Sequence, residues 1–370
     1  MRLAKNFISI VLITILLFLA CDFIVSHLGF SPDRKNNSTT AACAAHSVYR
    51  HDLKPNLDII SPWGPITSRL CTNQFGFKVA CNHAGEIRKD FDIAFIGDSF
   101  TESIGTTYEA SFVGLYAQKH PGIAVANFGV RGYSASNYWK KIEFLLNNGF
   151  TFKHLVVLPD ISDIADESAY RDEKHNAVVE NSKHSSSREE KEGSGEEKTN
   201  EKNKFHKFLM QHLKFTWYIN GLIYDYFYFD DEVVFKKLIA YPPAEWTRNI
   251  DSPYFGKEGA LFGIQKNLEY MRNLKKLLDE RNIKMTIIVY PWPTQLFLEN
   301  RSHLGVQIWK DFCIKEDCYN FIDTNPYFFD EIEKSSKREV IKKYYIHGDI
   351  HFNEEGNKIM FKIINTHLKL

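Results

Sequence analysis

A serine directly behind a short apolar run is the residue of this chain best placed to do chemistry. Residues 93–96 are all apolar, as in a buried strand, and Gly97, Asp98 and Ser99 follow at once. A serine at such a strand-to-helix turn can expose its hydroxyl as a nucleophile. The N–H groups that begin the helix can stabilise negative charge beside it. We therefore predict Ser99 as a nucleophile and its own N–H as an oxyanion donor.

Asp349 and His351 supply the two groups that a nucleophilic serine lacks. They lie two positions apart, just before a helical pattern at 354–370. An imidazole can take the serine proton while a carboxylate holds its second nitrogen in the correct tautomer. The segment predicts His351 as base and Asp349 as orienting acid in a Ser-His-Asp hydrolase or acyl transferase. The alternative is a surface loop whose polar residues only flank the helix start.

A glycine-containing segment at 127–134 offers a second oxyanion donor. Glycine lets a backbone N–H approach a reacting carbonyl closely, and Gly132 is the position that we predict for this role. The alternative is a turn that needs glycine only for a positive φ.

Two further segments with polar or aromatic side chains follow predicted strands. Residues 159–167 are strongly acidic, and residues 290–295 form a proline-containing aromatic loop. Calcium or magnesium would suit the acidic oxygens, but such residues more often cap a helix or face water, so no metal site is predicted. We name Asp163 and Trp292 as candidate substrate contacts. Trp292 could stack on a sugar, with packing inside the domain as the alternative.

The first 30 residues predict a cytoplasmic stub and a membrane anchor. Residues 7–25 are almost all apolar and are preceded by Arg2 and Lys5. Such a stretch is long enough to cross a bilayer as a helix, and the basic flank places the N-terminus in the cytoplasm. The alternatives are a cleaved signal peptide and lipidation at Cys21. An uncleaved anchor places the rest of the chain outside the cytoplasm, on the periplasmic side of a bacterial inner membrane.

The charge balance argues against one class of partner. Of the 370 residues, 46 are Lys or Arg and 46 are Asp or Glu, so the formal net charge is 0. A neutral chain of this length gives no electrostatic reason to bind nucleic acid.

The five cysteines after the anchor predict two short disulfides. Outside the cytoplasm disulfides persist, and the economical pairs are Cys71 with Cys81 and Cys313 with Cys318. This pairing leaves Cys43 free or bridged to another molecule. The alternative is that all five are reduced thiols inside the core, because connectivity cannot be deduced from sequence.

Short apolar runs alternate with helical patterns in the way that a parallel sheet requires. The runs are 93–96, 123–127, 154–158, 285–290 and 319–322. Helical patterns between them include 136–148 and 263–281. This alternation predicts an α/β fold with a central parallel sheet. The polar motifs follow the ends of these runs, where open α/β sheets place their sites.

Two segments stand outside this alternation. Residues 31–90 are punctuated by Gly and Pro and predict a prelude of short strands and turns. Residues 172–204 consist of Glu, Lys, Ser, Asn and Gly with almost nothing apolar, which predicts a disordered insertion. The α/β domain would then be 91–370, interrupted by that insertion.

Four ordered blocks resemble those of the SGNH/GDSL hydrolase superfamily. The blocks are 97–99, 127–132, 159–163 and 349–351. The resemblance covers residues 92–370 apart from the insertion. It implies a three-layer α/β/α fold like that of flavodoxin, ester hydrolysis or acyl transfer, and no cofactor. It also implies Ser99, His351 and Asp349 as nucleophile, base and orienting acid.

Two departures from the family pattern refine this expectation. The third block usually carries Asn as an oxyanion donor, whereas Ser162 stands beside Asp163 here. The last block usually separates Asp and His by two residues, but only one lies between Asp349 and His351. This tighter form resembles bacterial envelope polysaccharide O-acetyltransferases of the same superfamily. The resemblance therefore favours an enzyme that adds or removes acetyl groups on an envelope glycan, with a membrane acyl-donor protein as a candidate partner.

Two other functions stay open at this point. The missing Asn of the third block is also expected of a catalytically weak or inactive glycan-binding or assembly subunit. A lipid esterase or thioesterase is the further alternative, and a preference for acyl-chain length would distinguish it.

Overall fold

The computed structural model describes residues 42–169, 231–255 and 258–368, together with 6, 13–14, 16–18 and 20–24. The described residues 42–169, 236–255 and 258–368 belong to one compact unit. The predicted anchor at 7–25 lies only partly within the described residues, and the predicted insertion at 172–204 lies wholly outside them. Within the described part of the chain, no helix combines the length and the apolar character needed to cross a membrane.

Within the described residues, nine strands form two hairpins and one larger sheet. They are β1 Cys43–His46, β2 Arg50–Leu53, β3 Asp58–Trp63, β4 Ile66–Cys71, β5 Asp90–Gly97, β6 Val125–Asn127, β7 Thr151–Leu158, β8 Lys284–Val289 and β9 Asn320–Asp323.

Helices connect and cover the strands of the larger sheet. They are α1 Ser99–Glu102, α2 Phe112–Lys119, α3 Ala135–Asn147, α4 Asp163–Ala169, α5 Asp231–Ile239, α6 Gly259–Glu280, α7 Pro293–Leu298, α8 Leu304–Lys315, α9 Asn325–Lys334, α10 Lys337–Tyr344 and α11 Glu354–His367.

The larger sheet has five parallel strands in the order β6-β5-β7-β8-β9. This is the 2-1-3-4-5 order of flavodoxin-like folds. The strands are rich in apolar residues because helices cover both faces. The α/β fold with a central parallel sheet, predicted from the apolar runs, is therefore confirmed.

Alternation along β5 shows how the two faces of the sheet are covered. Ala94 and Ile96 belong to the core that contains residues of α3, α6 and α8. Phe95 lies between them in sequence, and its ring contacts those of Phe112 and Tyr116 on α2. Because successive side chains of a strand point to opposite faces, the sheet lies between two helical layers.

The prelude forms two antiparallel hairpins, β1–β2 and β3–β4. Both belong to the same compact unit as the parallel sheet. Short strands and turns were the expectation for this segment, but its sequence suggested no chemical role. Its contacts with the site are described below.

Both disulfides that the sequence predicted are present, so the alternative of five reduced thiols is wrong. Cys71 is bonded to Cys81, and Cys313 to Cys318. Cys43 is free and half-buried. Burial raises the pKa of the Cys43 thiol to about 12, so this thiol is protonated and weakly reactive near neutral pH.

Candidate active site

The nucleophile, the base and the acid predicted from two distant motifs converge at the carboxyl end of β5. Ser99 is the first residue of α1, directly after that strand, and His351 lies in the loop before α11. His351 Nε2 lies 2.7 Å from Ser99 Oγ. His351 Nδ1 is hydrogen-bonded to Asp349 Oδ1, which also accepts the His351 N–H at 2.9 Å. The structure thus brings Ser99, His351 and Asp349 into one hydrogen-bonded chain.

The turn that presents Ser99 requires glycine at the preceding strand end. A Cβ atom at Gly97 would lie 2.8 Å from the Leu158 carbonyl oxygen and 2.1 Å from Thr101 Oγ1. No side chain fits there without displacing the neighbouring strand or α1. Gly97 therefore lets α1 begin close to the sheet, with Ser99 largely buried beside His351.

Asp98 contacts both the Phe100 N–H and the Ser99 hydroxyl, and so stabilises the turn that contains Ser99. Its Oδ1 accepts the Phe100 N–H at 3.0 Å, and its Oδ2 lies 2.9 Å from Ser99 Oγ. Burial, with the nearby charge of Asp160, raises the pKa of Asp98 well above its usual range, although hydrogen bonds from Phe100 and Ser99 oppose the rise. The Ser99 hydroxyl thus lies between Asp98 on one side and His351 on the other.

Asp349 is held by a residue that the sequence motifs did not reveal. Trp63, at the end of β3, donates its indole N–H to Asp349 Oδ2 at 3.0 Å. Burial alone would raise the pKa of Asp349, but the charge and hydrogen bonds of His351, together with the Trp63 hydrogen bond, lower it. The carboxylate is therefore ionised at neutral pH, as an orienting acid must be.

The loop that carries Gly132 is fastened to α1. Asn127 donates its side-chain amide to the Thr101 carbonyl at 2.9 Å and accepts the Gly129 N–H at 2.9 Å. A Cβ atom at Gly129 would lie 2.6 Å from Thr101 Cβ, so glycine allows the loop and the helix to touch. Gly132 has a φ of 71°. Among the described residues no acceptor is paired with its N–H, as an oxyanion donor requires.

The first prelude hairpin holds the same loop from outside. His51 Nε2 lies 2.8 Å from the Arg131 carbonyl oxygen, and Arg50 donates to the Gly132 carbonyl at 3.5 Å. Tyr133 returns a hydrogen bond to the His51 carbonyl at 2.7 Å. The Arg131 and Gly132 carbonyl groups are thus held by the first prelude hairpin.

A buried ion pair joins α1 to this loop. The Arg131 guanidinium donates to both carboxylate oxygens of Glu102, and the Arg131 N–H donates to Glu102 Oε2 at 2.8 Å. Their side chains are 8% and 1% exposed. Burial would raise the pKa of Glu102, but the charge and hydrogen bonds of Arg131 lower it. Lys78 donates to three carbonyl groups beside the pair. Its pKa is lowered to about 8, chiefly by burial.

The structure does not present Ser162 as an oxyanion donor. Its N–H and its hydroxyl both donate to Asp160 Oδ1. The other oxygen, Asp160 Oδ2, accepts from the Tyr290 hydroxyl at 2.8 Å and from the Trp292 indole at 2.9 Å. Asp160 therefore engages the donors that the third block could have offered to a substrate.

The structure buries both of the residues that were predicted as substrate contacts. Trp292 is 1% exposed, and its indole N–H is occupied by Asp160. Asp163 is fully buried, with the Tyr138 hydroxyl 3.1 Å from its Oδ2. Burial, with the charges of Asp160 and Asp98, raises the pKa of Asp163 well above its usual range. Both side chains thus support the fold behind the serine instead of facing a ligand.

Comparison with known proteins gives structural likeness only. No protein-family model and no curated protein sequence matches the chain. The acetylxylan esterase Axe2 from Geobacillus stearothermophilus is similar with a TM-score of 0.40, 11% identity, and coverage of 75% of this chain and 93% of that one. The esterase EstA from Pseudoalteromonas sp. has a TM-score of 0.39 and 9% identity, covering 76% and 97%. A lipolytic G-D-S-L family protein from Veillonella parvula has a TM-score of 0.40 and 11% identity, covering 74% and 96%.

The strand order of the parallel sheet shows an α/β fold. The likenesses above are too distant to assign an activity, so the function is inferred from the chemistry of the site residues.

Proposed function

We propose that this protein is a serine esterase or O-acyltransferase of the SGNH/GDSL type, working through an acyl-enzyme on Ser99. One observation carries the proposal. Ser99 Oγ lies 2.7 Å from His351 Nε2, and the other ring nitrogen of His351 is bonded to Asp349. This is the arrangement that a serine nucleophile needs for activation by a base held in one tautomer.

The reaction proceeds in two acyl transfers. Ser99 Oγ forms a bond to the ester carbonyl carbon while His351 Nε2 takes its proton. The oxyanion is held by backbone N–H groups, with those of Gly132 and Ser99 as the proposed donors. The ester C–O bond breaks, and the leaving alcohol takes the proton from His351. Water or a sugar hydroxyl then attacks the acyl-enzyme in the reverse sequence, and Ser99 regains its proton.

We propose an acetylated cell-envelope or extracellular polysaccharide as the substrate class. The Asp349-x-His351 spacing, which resembles that of envelope O-acetyltransferases, supports this choice. The apolar segment 7–25 and the two disulfides also support a membrane-anchored enzyme that works in an oxidising compartment outside the cytoplasm. In that setting a membrane acyl-donor protein would supply acetyl groups for transfer, whereas hydrolysis would need only water.

The test compares acetate-ester turnover by the full-length protein and its Ser99→Ala variant, with exposed Ser302→Ala as the matched control. We expect Ser99→Ala to lose up to about 10⁶-fold in kcat, and Ser302→Ala to lose nothing. A serine-directed phosphonate should label the native protein at Ser99 stoichiometrically. If Ser99→Ala keeps most of the turnover, the mechanism is wrong. Mass analysis of a deacetylated polysaccharide added as acceptor separates transfer, which adds acetyl groups to it, from hydrolysis, which releases acetate.

A glycan-binding or assembly subunit without efficient chemistry is the second candidate. The engagement of both Ser162 donors by Asp160 favours it, since loss of one oxyanion donor costs about 10²–10³ in rate. Tight polysaccharide binding unaffected by Ser99→Ala, together with no phosphonate labelling, would support this candidate. Stoichiometric labelling would exclude it.

A further inference from the structure

The tip of the β3–β4 hairpin is seated beside the candidate site. Trp63 and Ile66 face each other across that tip. A Cβ atom at Gly105 would lie 2.6 Å from Ile66 Cδ1 and 2.9 Å from Ile346 Cδ1. Glycine at this position, where φ is 80°, therefore leaves room for Ile66 between the loop after α1 and the loop before Asp349. This seating fixes the hairpin independently of the Trp63 side chain.

Trp63 contacts both polar partners of the serine. Its indole N–H donates to Asp349 Oδ2 at 3.0 Å. Its ring lies edge-to-face with the His351 imidazole, at 5.2 Å between centroids and 89° between planes. The Arg131 guanidinium carbon lies 5.6 Å from the ring centroid. One half-buried side chain thus joins the acid, the base and the loop that carries Gly132.

The Asp349 carboxylate divides its two oxygens between different partners. Oδ1 accepts from His351 Nδ1 and from the His351 N–H, and Oδ2 accepts from Trp63. A carboxylate group turns readily about its Cβ–Cγ bond, because that torsion is broad. With Oδ2 held by the indole, Oδ1 stays in line with the imidazole. Without that donor, Oδ2 would be left to water, and the imidazole could tilt away from the serine.

We propose that Trp63 is a positioning residue for the reaction at Ser99: its indole N–H orients Asp349, and its ring edge fixes the plane of His351. This inference depends on the proposed function, since it describes how the same site is held. It also gives the prelude a catalytic purpose, because the residue that completes the hydrogen-bonded chain comes from β3 and not from the α/β sheet.

The decisive experiment is a double-mutant cycle on kcat in the full-length protein. Trp63→Phe keeps an aromatic ring and removes the donor, and Asp349→Asn removes the carboxylate through which Trp63 acts. The matched control is Trp139→Phe, a half-buried tryptophan on α3 that stacks on Tyr270 away from the serine. A second variant replaces Trp63 with benzothienylalanine, which has the shape of tryptophan but sulfur in place of the N–H.

We expect Trp63→Phe and the benzothienyl variant to lower kcat about tenfold with little change in KM, since a hydrogen bond to a charged group is lost. In the Asp349→Asn background the same replacement should change kcat less than about twofold, because the effects of mutations at two residues of one hydrogen-bonded network are not additive. Trp139→Phe should leave kcat unchanged. The rate of phosphonate labelling at Ser99 should follow the same pattern.

An equal loss from Trp63→Phe in both backgrounds, or full activity of the benzothienyl variant, would overturn the positioning role while leaving the serine mechanism intact. Absence of any Ser99-dependent turnover and labelling would overturn the proposed function, and the positioning role with it. The two failures are therefore distinguishable in one set of measurements.

Discussion

Replacing Glu102 by Gln should destabilise the protein far more than replacing an exposed acid in a similar ion pair. Glu102 is 1% exposed as a side chain, and its oxygens accept from the Arg131 guanidinium and from the Arg131 N–H. Glutamine keeps the size but removes the charge, which leaves the buried Arg131 cation unpaired and the Lys78 cation without its nearby anion. Breaking a buried pair in this way costs about 3–5 kcal/mol in the free energy of unfolding.

The Asp58 and Arg69 pair provides the matched control. Arg69 donates to both Asp58 oxygens at 2.7 Å, so this pair is also bidentate. However, its side chains are 53% and 58% exposed. Asp58→Asn should therefore change the free energy of unfolding very little, because solvent screens an exposed pair. Guanidinium unfolding of the full-length variants, fitted with a common slope, measures both values. If Glu102→Gln costs no more than Asp58→Asn, burial is not the source of the effect and our reasoning about this ion pair is refuted.

Two further predictions concern pH and packing. Burial raises the pKa of Glu167 from 4.5 to about 7. Its stabilising contribution is therefore complete below about pH 4.5, and up to about 3 kcal/mol should be lost by pH 7. Relative to Glu167→Gln, the native unfolding free energy should decline over that range, and a constant difference would contradict this. Gly129→Ala places Cβ 2.7 Å from the Glu102 nitrogen. It should cost about 1–3 kcal/mol and reduce ester turnover. Gly122→Ala, which meets open space, should do neither, and equal effects would refute the steric argument.

The sequence predicted the parts of the site whose signals are local. An apolar run ending in Gly97 marks both the strand and the turn that places Ser99 beside His351. Asp349 and His351 lie only two positions apart, so the sequence alone shows that they can act together. The parallel sheet followed from the same kind of signal, because strands buried on both faces must be apolar throughout.

The residues that sequence reasoning missed or misplaced depend on partners far along the chain. The sequence alone does not distinguish a buried aromatic residue after a strand from an exposed one. Trp292 is buried because its indole reaches Asp160, which is 132 residues earlier. Trp63 carried no signal at all, since its partner Asp349 lies 286 residues later. The sequence shows that Ser162 replaces the usual Asn of the third block, but it does not show that Asp160 occupies both donors of Ser162.

The contact between Trp63 and Asp349 can form only late in the synthesis of the chain, because the two residues are far apart in sequence. Chains are made at about 5–20 residues per second, so the two partners emerge roughly 15–60 s apart. His351 likewise follows Ser99 by 252 residues. Through most of translation, the serine has no imidazole beside it and the tryptophan has no carboxylate to bind. A product that stalls before α10 therefore lacks both Asp349 and His351, the proposed acid and base for Ser99.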